Sequence, residues 1–363
     1  MSLAKIQEVR TTQVLAPIRR PLRNASGFIP SFPVVLIDLV RDDGVVGRAY
    51  TQIYFPELLP ALEGSIHSLA TLIKGMPASP RDVYDFLMLR MRLWGVKNTF
   101  CTAMGGLDMA LWDAYARGRD EPLYDTLGAQ PRAHKPYYSV GLYDENSVIE
   151  VAEEAVTENY AGLKIKGGFP TLAEDIAAVR SAKRVLGERA LMIDYNQSLT
   201  VAEAMIRCKA LDDEGLAWIE EPIIADDYDG NAKLADAITT PIQIGENFNG
   251  PEDMQIAVRA KAMDYVMIDP QFIRGVTGWL ETAAMAREAG LEMSSHTFVE
   301  ASSHLLCATP TADWLEHMDV VGQLLVEPFP LVDGTLTPPD RPGLGMEWNE
   351  EMVSKYRVKT NKS

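Results

Sequence analysis

Cysteine is scarce: only Cys101, Cys208 and Cys307 occur in 363 residues, far apart and with no Cys-x-x-Cys pair. That excludes a disulfide framework and a zinc–cysteine cluster, and predicts three small core side chains. Histidine is sparse too, with His67, His134, His296, His304 and His317 the whole complement, so few imidazoles can carry chemistry. Positive charge is outnumbered, 34 Lys and Arg against 51 Asp and Glu, for a formal net charge of −17. Such a surface repels nucleic acid and anionic membranes, which removes both as expected partners. A carboxylate substrate would need locally placed cations to hold it. No run approaches the ~18 uninterrupted apolar residues of a membrane span. The opening Met1-Ser2-Leu3-Ala4-Lys5-Ile6-Gln7-Glu8 lacks the apolar core of a secretory signal, so a cytoplasmic location is expected.

What is present is apolar mass with a rhythm. Apolar residues make up 47% and charged residues 23%, the mix of a globular protein with a large core. At ~150 residues per domain the length predicts about two domains. Val34–Val40 reads as a strand, Asp42-Asp43-Gly44 as a turn and Val45-Val46-Gly47 as the return. Helical spacing follows over Glu57–Lys74, Val83–Leu93 and Thr102–Arg117, where Met104, Leu107, Leu111 and Tyr115 recur every three or four residues. Strands followed by helices predict a separate α+β domain over residues 1–131.

From Tyr137 the texture changes to short apolar runs separated by Ala-rich helical pieces. The runs are Tyr137–Leu142, Gly162–Ile165, Leu191–Tyr195, Ala217–Ile219, Ile242–Ile244, Tyr265–Ile268, Leu291–Ser294 and Leu324–Val326. Repeated βα units imply parallel strands, which need long crossovers, and eight such units predict a closed α/β barrel over residues 132–328. The Pro- and Gly-rich stretch 329–363 is expected to run back over the first domain.

The polar residues fall where those strands end. The second run ends in Lys164 and Lys166, the third in Asp194 and Asn196, the fourth in Glu220 and Glu221. Glu246, Asp269 and His296 close the next three. One charged strand end is ordinarily a solvated loop start, but in a parallel barrel six in succession lie on one rim, where barrel enzymes place their sites. Asp194, Glu220 and Glu246 recur at equal intervals of 26 residues, so three carboxylates should converge. Clustered carboxylates cannot all stay ionised without a cation between them, and an all-oxygen set suits Mg²⁺ or Mn²⁺ better than zinc.

Lys164 and Lys166 share one strand face, so each ammonium should lower the pKa of the other, toward the ~7–8 of a general base. Asp269 lies one βα unit before His296 and could fix its tautomer. Glu316, among aromatic and aliphatic neighbours, is expected to stay protonated and donate a hydrogen bond. His304 and His317, in helical or loop sequence, read as structural.

These residues resemble the enolase superfamily and, within it, the mandelate racemase group. The matching runs are Leu163-Lys164-Ile165-Lys166, Ile193-Asp194-Tyr195-Asn196-Gln197-Ser198, Trp218-Ile219-Glu220-Glu221-Pro222 and Gly245-Glu246-Asn247. Gly275-Val276-Thr277-Gly278-Trp279, Ser294-Ser295-His296 and Trp314-Leu315-Glu316 continue it. The resemblance implies an α+β capping domain on a modified (β/α)7β TIM barrel, with Mg²⁺ held by Asp194, Glu220 and Glu246. It implies Lys166 and His296 as opposed bases, Asp269 behind His296, and Glu316 and Lys164 on the substrate carboxylate. Ser139 and Asn196 match positions near the substrate, and Tyr54 belongs to the capping segment that faces it.

The activity so implied is removal of a proton α to a carboxylate through a metal-stabilised enediolate, most simply by a racemase or epimerase of a 2-hydroxy acid. An aldonate or aldarate dehydratase using the same residues is the alternative, and a non-catalytic metabolite-binding barrel is a third reading. A homo-oligomer acting on a small carboxylate is expected. Specificity is expected from the Leu22–Phe32 loop, where Arg23, Phe28 and Ile29 depart from the racemase pattern.

Overall fold

The computed structural model describes residues 3–24 and 27–359. Three antiparallel strands come first: β1 (Ile6–Asn24), β2 (Gly27–Arg41) and β3 (Val46–Gln52). Asp42-Asp43-Gly44 makes the turn between β2 and β3, with Gly44 at φ 86°, a conformation that costs glycine little. The expected loop Leu22–Phe32 is the tip of the β1–β2 hairpin, pairing Leu22 with Ile29, Arg23 with Phe28 and Asn24 with Gly27. Ala25 and Ser26 lie outside the described residues. Helices Leu59–Ile73, Pro80–Met91 and Asn98–Arg117 follow, the last almost wholly buried because small residues line it.

Eight parallel strands form the second sheet: β4 (Lys135–Ser139), β5 (Gly162–Lys166), β6 (Ala190–Asp194), β7 (Ile219–Glu220), β8 (Ile242–Ile244), β9 (Tyr265–Ile268), β10 (Met293–Ser295) and β11 (Trp314–His317). Their order is β10-β9-β8-β7-β6-β5-β4-β11. The two ends approach closure through Met293 N to Thr311 O (2.9 Å) and Asp313 N to Met293 O (3.0 Å). The helices between strands start on strong local signals. Thr171 with Glu174, and Thr200 with Glu203, form full capping boxes, each satisfying two otherwise orphaned N–H groups. Helix Leu172–Leu186 then buries Ala178, Val179, Ala182 and Leu186 against the sheet.

One expected strand is corrected. The eighth is Trp314–His317, not Leu324–Val326, which is a short 3₁₀ turn and the start of an irregular segment. The apolar run at 324 misled because the true strand has only two apolar residues, Trp314 and Leu315, before the consecutive polar pair Glu316 and His317. Leu315 is buried toward the helices, whereas Glu316 points into the barrel. His317 therefore lies in a strand, where its Nδ1 meets the Tyr160 hydroxyl at 2.7 Å.

The barrel interior is layered. Tyr137, Met192, Trp218 and Met267 fill its floor, with Trp314 packed against them. The Tyr137–Trp218 and Trp218–Trp314 rings meet edge-on at 5.5 and 6.2 Å, a geometry worth ~0.5–1.5 kcal/mol per pair beyond area burial. Above this plug the strand ends turn polar. The first domain sits over that end. Gly105 lies so close to the loop after β9 that a Cβ would come within 2.2 Å of Gln271 O. Trp112 Nε1 donates to Thr277 Oγ1 (2.9 Å) and Tyr50 to Glu300 (2.9 Å), joining cap and barrel. The chain's last described residues return to the cap, where Val358 N donates to Gln13 O (2.9 Å) and Trp348 to Asp38 (2.9 Å). No helix among the described residues is long and apolar enough to cross a membrane.

Candidate active site

Strand alternation sends Leu163 and Ile165 outward into the helix-facing core and Lys164 and Lys166 into the barrel. Register carries that layer around the sheet, since Lys166 pairs with Asp194 and Asp194 with Glu220. Glu246 arrives on the loop after β8, past Gly245, whose φ of 130° suits only glycine. One carboxylate oxygen from each of Asp194, Glu220 and Glu246 lies within 4.8 Å of the others, and all three residues are buried.

The hydrogen bonds around this triad fix its orientation. Asn196 donates its backbone N–H (2.7 Å) and side-chain amide (3.0 Å) to Asp194. Trp218 Nε1, from the floor, donates to Glu220 Oε2 at 3.0 Å. Glu246 Oε2 is buried and makes no hydrogen bond among the described residues, its nearest cationic group being His296 Nε2 at 3.3 Å. Hard oxygen donors at this separation, one of them without a hydrogen bond, fit a divalent cation of the magnesium type.

Two ammonium groups face the triad. Lys164, fully buried, lies 2.5 Å from Glu220 and 2.8 Å from Glu316, with its Nζ 5.4 Å above the Tyr137 ring. Lys166 contacts Asp194. The expected lowering of the Lys166 pKa is not what this arrangement gives. Burial and Lys164 both push it down, but Asp194, with Glu246 and Glu220, outweighs them and raises it. Lys164 is raised further, again against burial, by Glu220 and Glu316.

Glu316 is likewise corrected from a protonated donor to a carboxylate. Burial alone would keep it neutral, but Lys164, His296 and Lys166 hold it well below the usual range. It also accepts the Thr297 backbone N–H at 2.8 Å.

Across the cavity His296 Nδ1 lies 2.7 Å from Asp269 Oδ2, and its Nε2 lies 3.3 Å from Glu246 Oε2. Burial works against the imidazolium, but Glu246, Glu316 and Asp269 raise its pKa to about 10. Thr297 and Phe298, at φ 45° and 47°, follow immediately. A β-branched residue there is strained, and such strain is held only where surroundings over-determine it.

β5, which carries Lys166, and β10, which His296 follows, are five strands apart one way round the sheet and three the other. The two side chains line one cavity of about 20 Å³ with Leu22, Asn24, Phe32, Gln52, Tyr54 and Asn196. Tyr54, 36% exposed, is thus brought to the site. Ser139 ends β4 in register with Lys164, its hydroxyl buried and without a partner among the described residues. Larger cavities lie elsewhere, among them one of about 260 Å³ between the hairpin and β4 and β11, which Ser139 lines, and one of about 410 Å³ on the cap beside Trp94. Sequence reasoning missed Gln52, Thr297, Gln271 and Trp218 as residues of this site. None is ionisable, and only the fold brings the first of them to the barrel mouth.

Residues 6–128 match the family model described as mandelate racemase/muconate lactonizing enzyme, N-terminal domain, and residues 147–352 match enolase C-terminal domain-like. The chain belongs to the mandelate racemase/muconate lactonizing enzyme family.

A solved enolase from Bradyrhizobium, complexed with magnesium and mandelic acid, superposes with a TM-score of 0.95 at 38% identity, covering 99% of this chain and 100% of that one. The L-talarate/galactarate dehydratase of Salmonella typhimurium is 32% identical over 253 residues, which are 69% of this chain and 64% of that enzyme. The L-Ala-D/L-Glu epimerase of Bacillus subtilis is 24% identical over 94% of this chain and 96% of its own length. Members of this family similar to the chain therefore include both isomerases and hydro-lyases, and the chain is an enzyme of one of these two kinds.

Proposed function

We propose that this enzyme removes the proton α to a carboxylate, with Lys166 and His296 as bases on opposite faces of the substrate and Mg²⁺ held by Asp194, Glu220 and Glu246. The reading rests on one observation. Lys166 and His296 line a single cavity from facing strands, and each touches a different member of the triad, Asp194 on one side and Glu246 on the other.

An α-proton beside a carboxylate is weakly acidic because ionisation adds a second negative charge to the same group. Preorganised positive charge must meet it as it forms. Bound magnesium supplies a Lewis-acidic charge against the carboxylate. Lys164 adds a second cation, and Glu316 sits beside it to fix its position. Either base must first be neutral to accept the proton. The C–H pair then passes into the carboxyl group, and the opposite base, protonated, returns a proton to the other face. That sequence is racemisation or epimerisation of a 2-hydroxy acid. The relative with bound mandelic acid supports a substrate of this class.

A second reading, dehydration of an aldonic or aldaric acid, is favoured by polar atoms without partners at the cavity. Gln52 Oε1 and Asn196 Oδ1 are buried and unbonded among the described residues, an arrangement matched to a polyhydroxylated ligand. The dehydratase relative points the same way. Asn196 and Tyr54 would contact the substrate in either case. Exposed Leu89, Leu93 and Trp94 on the cap support assembly as a homo-oligomer.

The test is incubation with both mandelate enantiomers and a panel of aldonic and aldaric acids in D₂O with Mg²⁺. Deuterium at Cα with retention of the hydroxyl establishes the racemase, and a 2-keto product establishes the dehydratase. No exchange from any acid, with magnesium bound, would overturn both.

A further inference from the structure

Gln52 is the last residue of β3 in the cap, yet both of its hydrogen-bonding arms reach the barrel. Its backbone N–H donates to Gln271 Oε1 (3.0 Å), and its side-chain Nε2 donates to Thr297 Oγ1 (3.3 Å). Each of those partners then bonds a different oxygen of Asp269. Gln271 N donates to Oδ1 at 2.7 Å, and Thr297 Oγ1 donates to Oδ2 at 3.3 Å. Asp269 Oδ2 is the atom that meets His296 Nδ1.

The direction of this chain is fixed by donor counting. A carboxylate only accepts, so the single hydroxyl proton of Thr297 goes to Asp269. The hydroxyl oxygen must then accept from Gln52, which turns the amide nitrogen toward Thr297 and leaves Oε1 on the far side. That oxygen is buried without a partner among the described residues, so no competing bond draws the amide elsewhere. Gln52, Thr297, Gln271 and Asp269 are each less than a tenth exposed, so water does not compete for these bonds. Thr297 pays for its place with φ 45°, and the same residue's N–H holds Glu316.

We propose that Gln52 is a positioning residue that fixes the Asp269–His296 pair from across the domain seam, so that seating of the cap sets the aim of the imidazole. This rests on the reading of His296 as a base, but it concerns the hydrogen bond that holds the ring rather than turnover. Two routes from one residue to both oxygens of Asp269 leave that carboxylate little freedom to rotate. The cap thereby orients one face of the site, the His296 face, without touching Lys166.

The experiment uses the magnesium-loaded full chain and follows the His296 Nδ1–H proton by NMR, assigned by its loss in His296→Asn. Gln52→Leu and Thr297→Val should each speed its exchange with water roughly tenfold, the scale of one lost hydrogen bond. Thr297→Ser, which keeps the hydroxyl, should stay near the wild-type rate. The indole N–H of Trp279, buried and donating to Thr309 Oγ1 at 2.9 Å, serves as the internal control. An unchanged His296 proton in both Gln52→Leu and Thr297→Val overturns the proposal, as does equal acceleration at Trp279, which signals general loosening. If Gln52→Leu does not fold, Thr297→Val against Thr297→Ser decides the matter alone. Failure of the substrate panel would leave this measurement standing, and failure here would leave the role of His296 as a base untouched.

Discussion

His296 Nδ1 and Asp269 Oδ2 lie 2.7 Å apart, while the other ring nitrogen faces Glu246 and the cavity. This pins the tautomer, so that Nε2 is the atom free to exchange a proton with substrate. Asp269→Asn keeps the shape but replaces a charged acceptor. It should slow α-proton exchange through His296 by roughly 10²-fold or more, the scale of a general base lost or misoriented. Exchange through Lys166 should change little. Equal losses from the two enantiomers would argue against separate bases.

Lys166→Ala makes the complementary prediction. The ammonium lies at one edge of the triad against Asp194, far around the sheet from His296. Removing it should abolish deuterium uptake from one enantiomer of the active acid and leave the other enantiomer exchanging. Product stereochemistry followed by polarimetry or chiral chromatography reads this directly. Lys166→Arg should not rescue it, because a guanidinium does not release its proton near neutrality.

Magnesium binding should depend on the triad and on its support from below. Glu246→Gln replaces one carboxylate oxygen of the triad by an amide nitrogen and removes its charge, and calorimetric titration should show binding lost or severely weakened. Trp218→Phe leaves all three carboxylates but deletes the 3.0 Å bond to Glu220. Outer partners of metal ligands are typically worth 10–100-fold in affinity, and a loss in that range is expected. Saturating magnesium should raise the wild-type melting temperature by a few degrees, since 100-fold excess over Kd contributes about 2.7 kcal/mol. The Glu246→Gln chain should show little of that rise.

The triad was legible in the sequence because two periodicities reinforced each other, the 26-residue βα spacing and the two-residue alternation that put Lys164 and Lys166 on one face. Asp269 and His296 followed from the same register. The eighth strand was not legible, because its four residues hold only Trp314 and Leu315 before Glu316 and His317, too short an apolar run to stand out beside Leu324–Val326. The charge states of Lys166 and Glu316 are not legible from a single neighbour, Lys164 or the apolar surroundings, because the whole cluster of opposite charges sets the direction. Gln52 and Thr297 could not be found at all, since an amide and a hydroxyl far apart in the chain carry no pattern until the cap is seated.

That seating carries its own pH dependence. Asp108, on the cap helix Asn98–Arg117, accepts the backbone N–H and the hydroxyl of Thr277 (both 2.8 Å) at the start of the barrel helix Gly275–Ala289. Burial raises its pKa from 3.8 to about 7, even though the Thr277 bonds pull it down. The folded chain therefore holds this proton more tightly than the unfolded chain does. The stability it contributes is complete below about pH 4 and is lost as pH rises through 7, roughly 2 kcal/mol of it between pH 5 and 7. Glu300, also raised to about 7 by burial, acts with the same sign. Asp108→Asn preserves the shape, can still accept from the Thr277 N–H and cannot ionise. Urea unfolding at pH 5 and pH 7.5 should show a smaller fall in stability for this variant than for the wild type, with the variant the more stable of the two at the higher pH. If both chains lose the same stability between those pH values, Asp108 titrates near its ordinary range and the helix start carries a full charge.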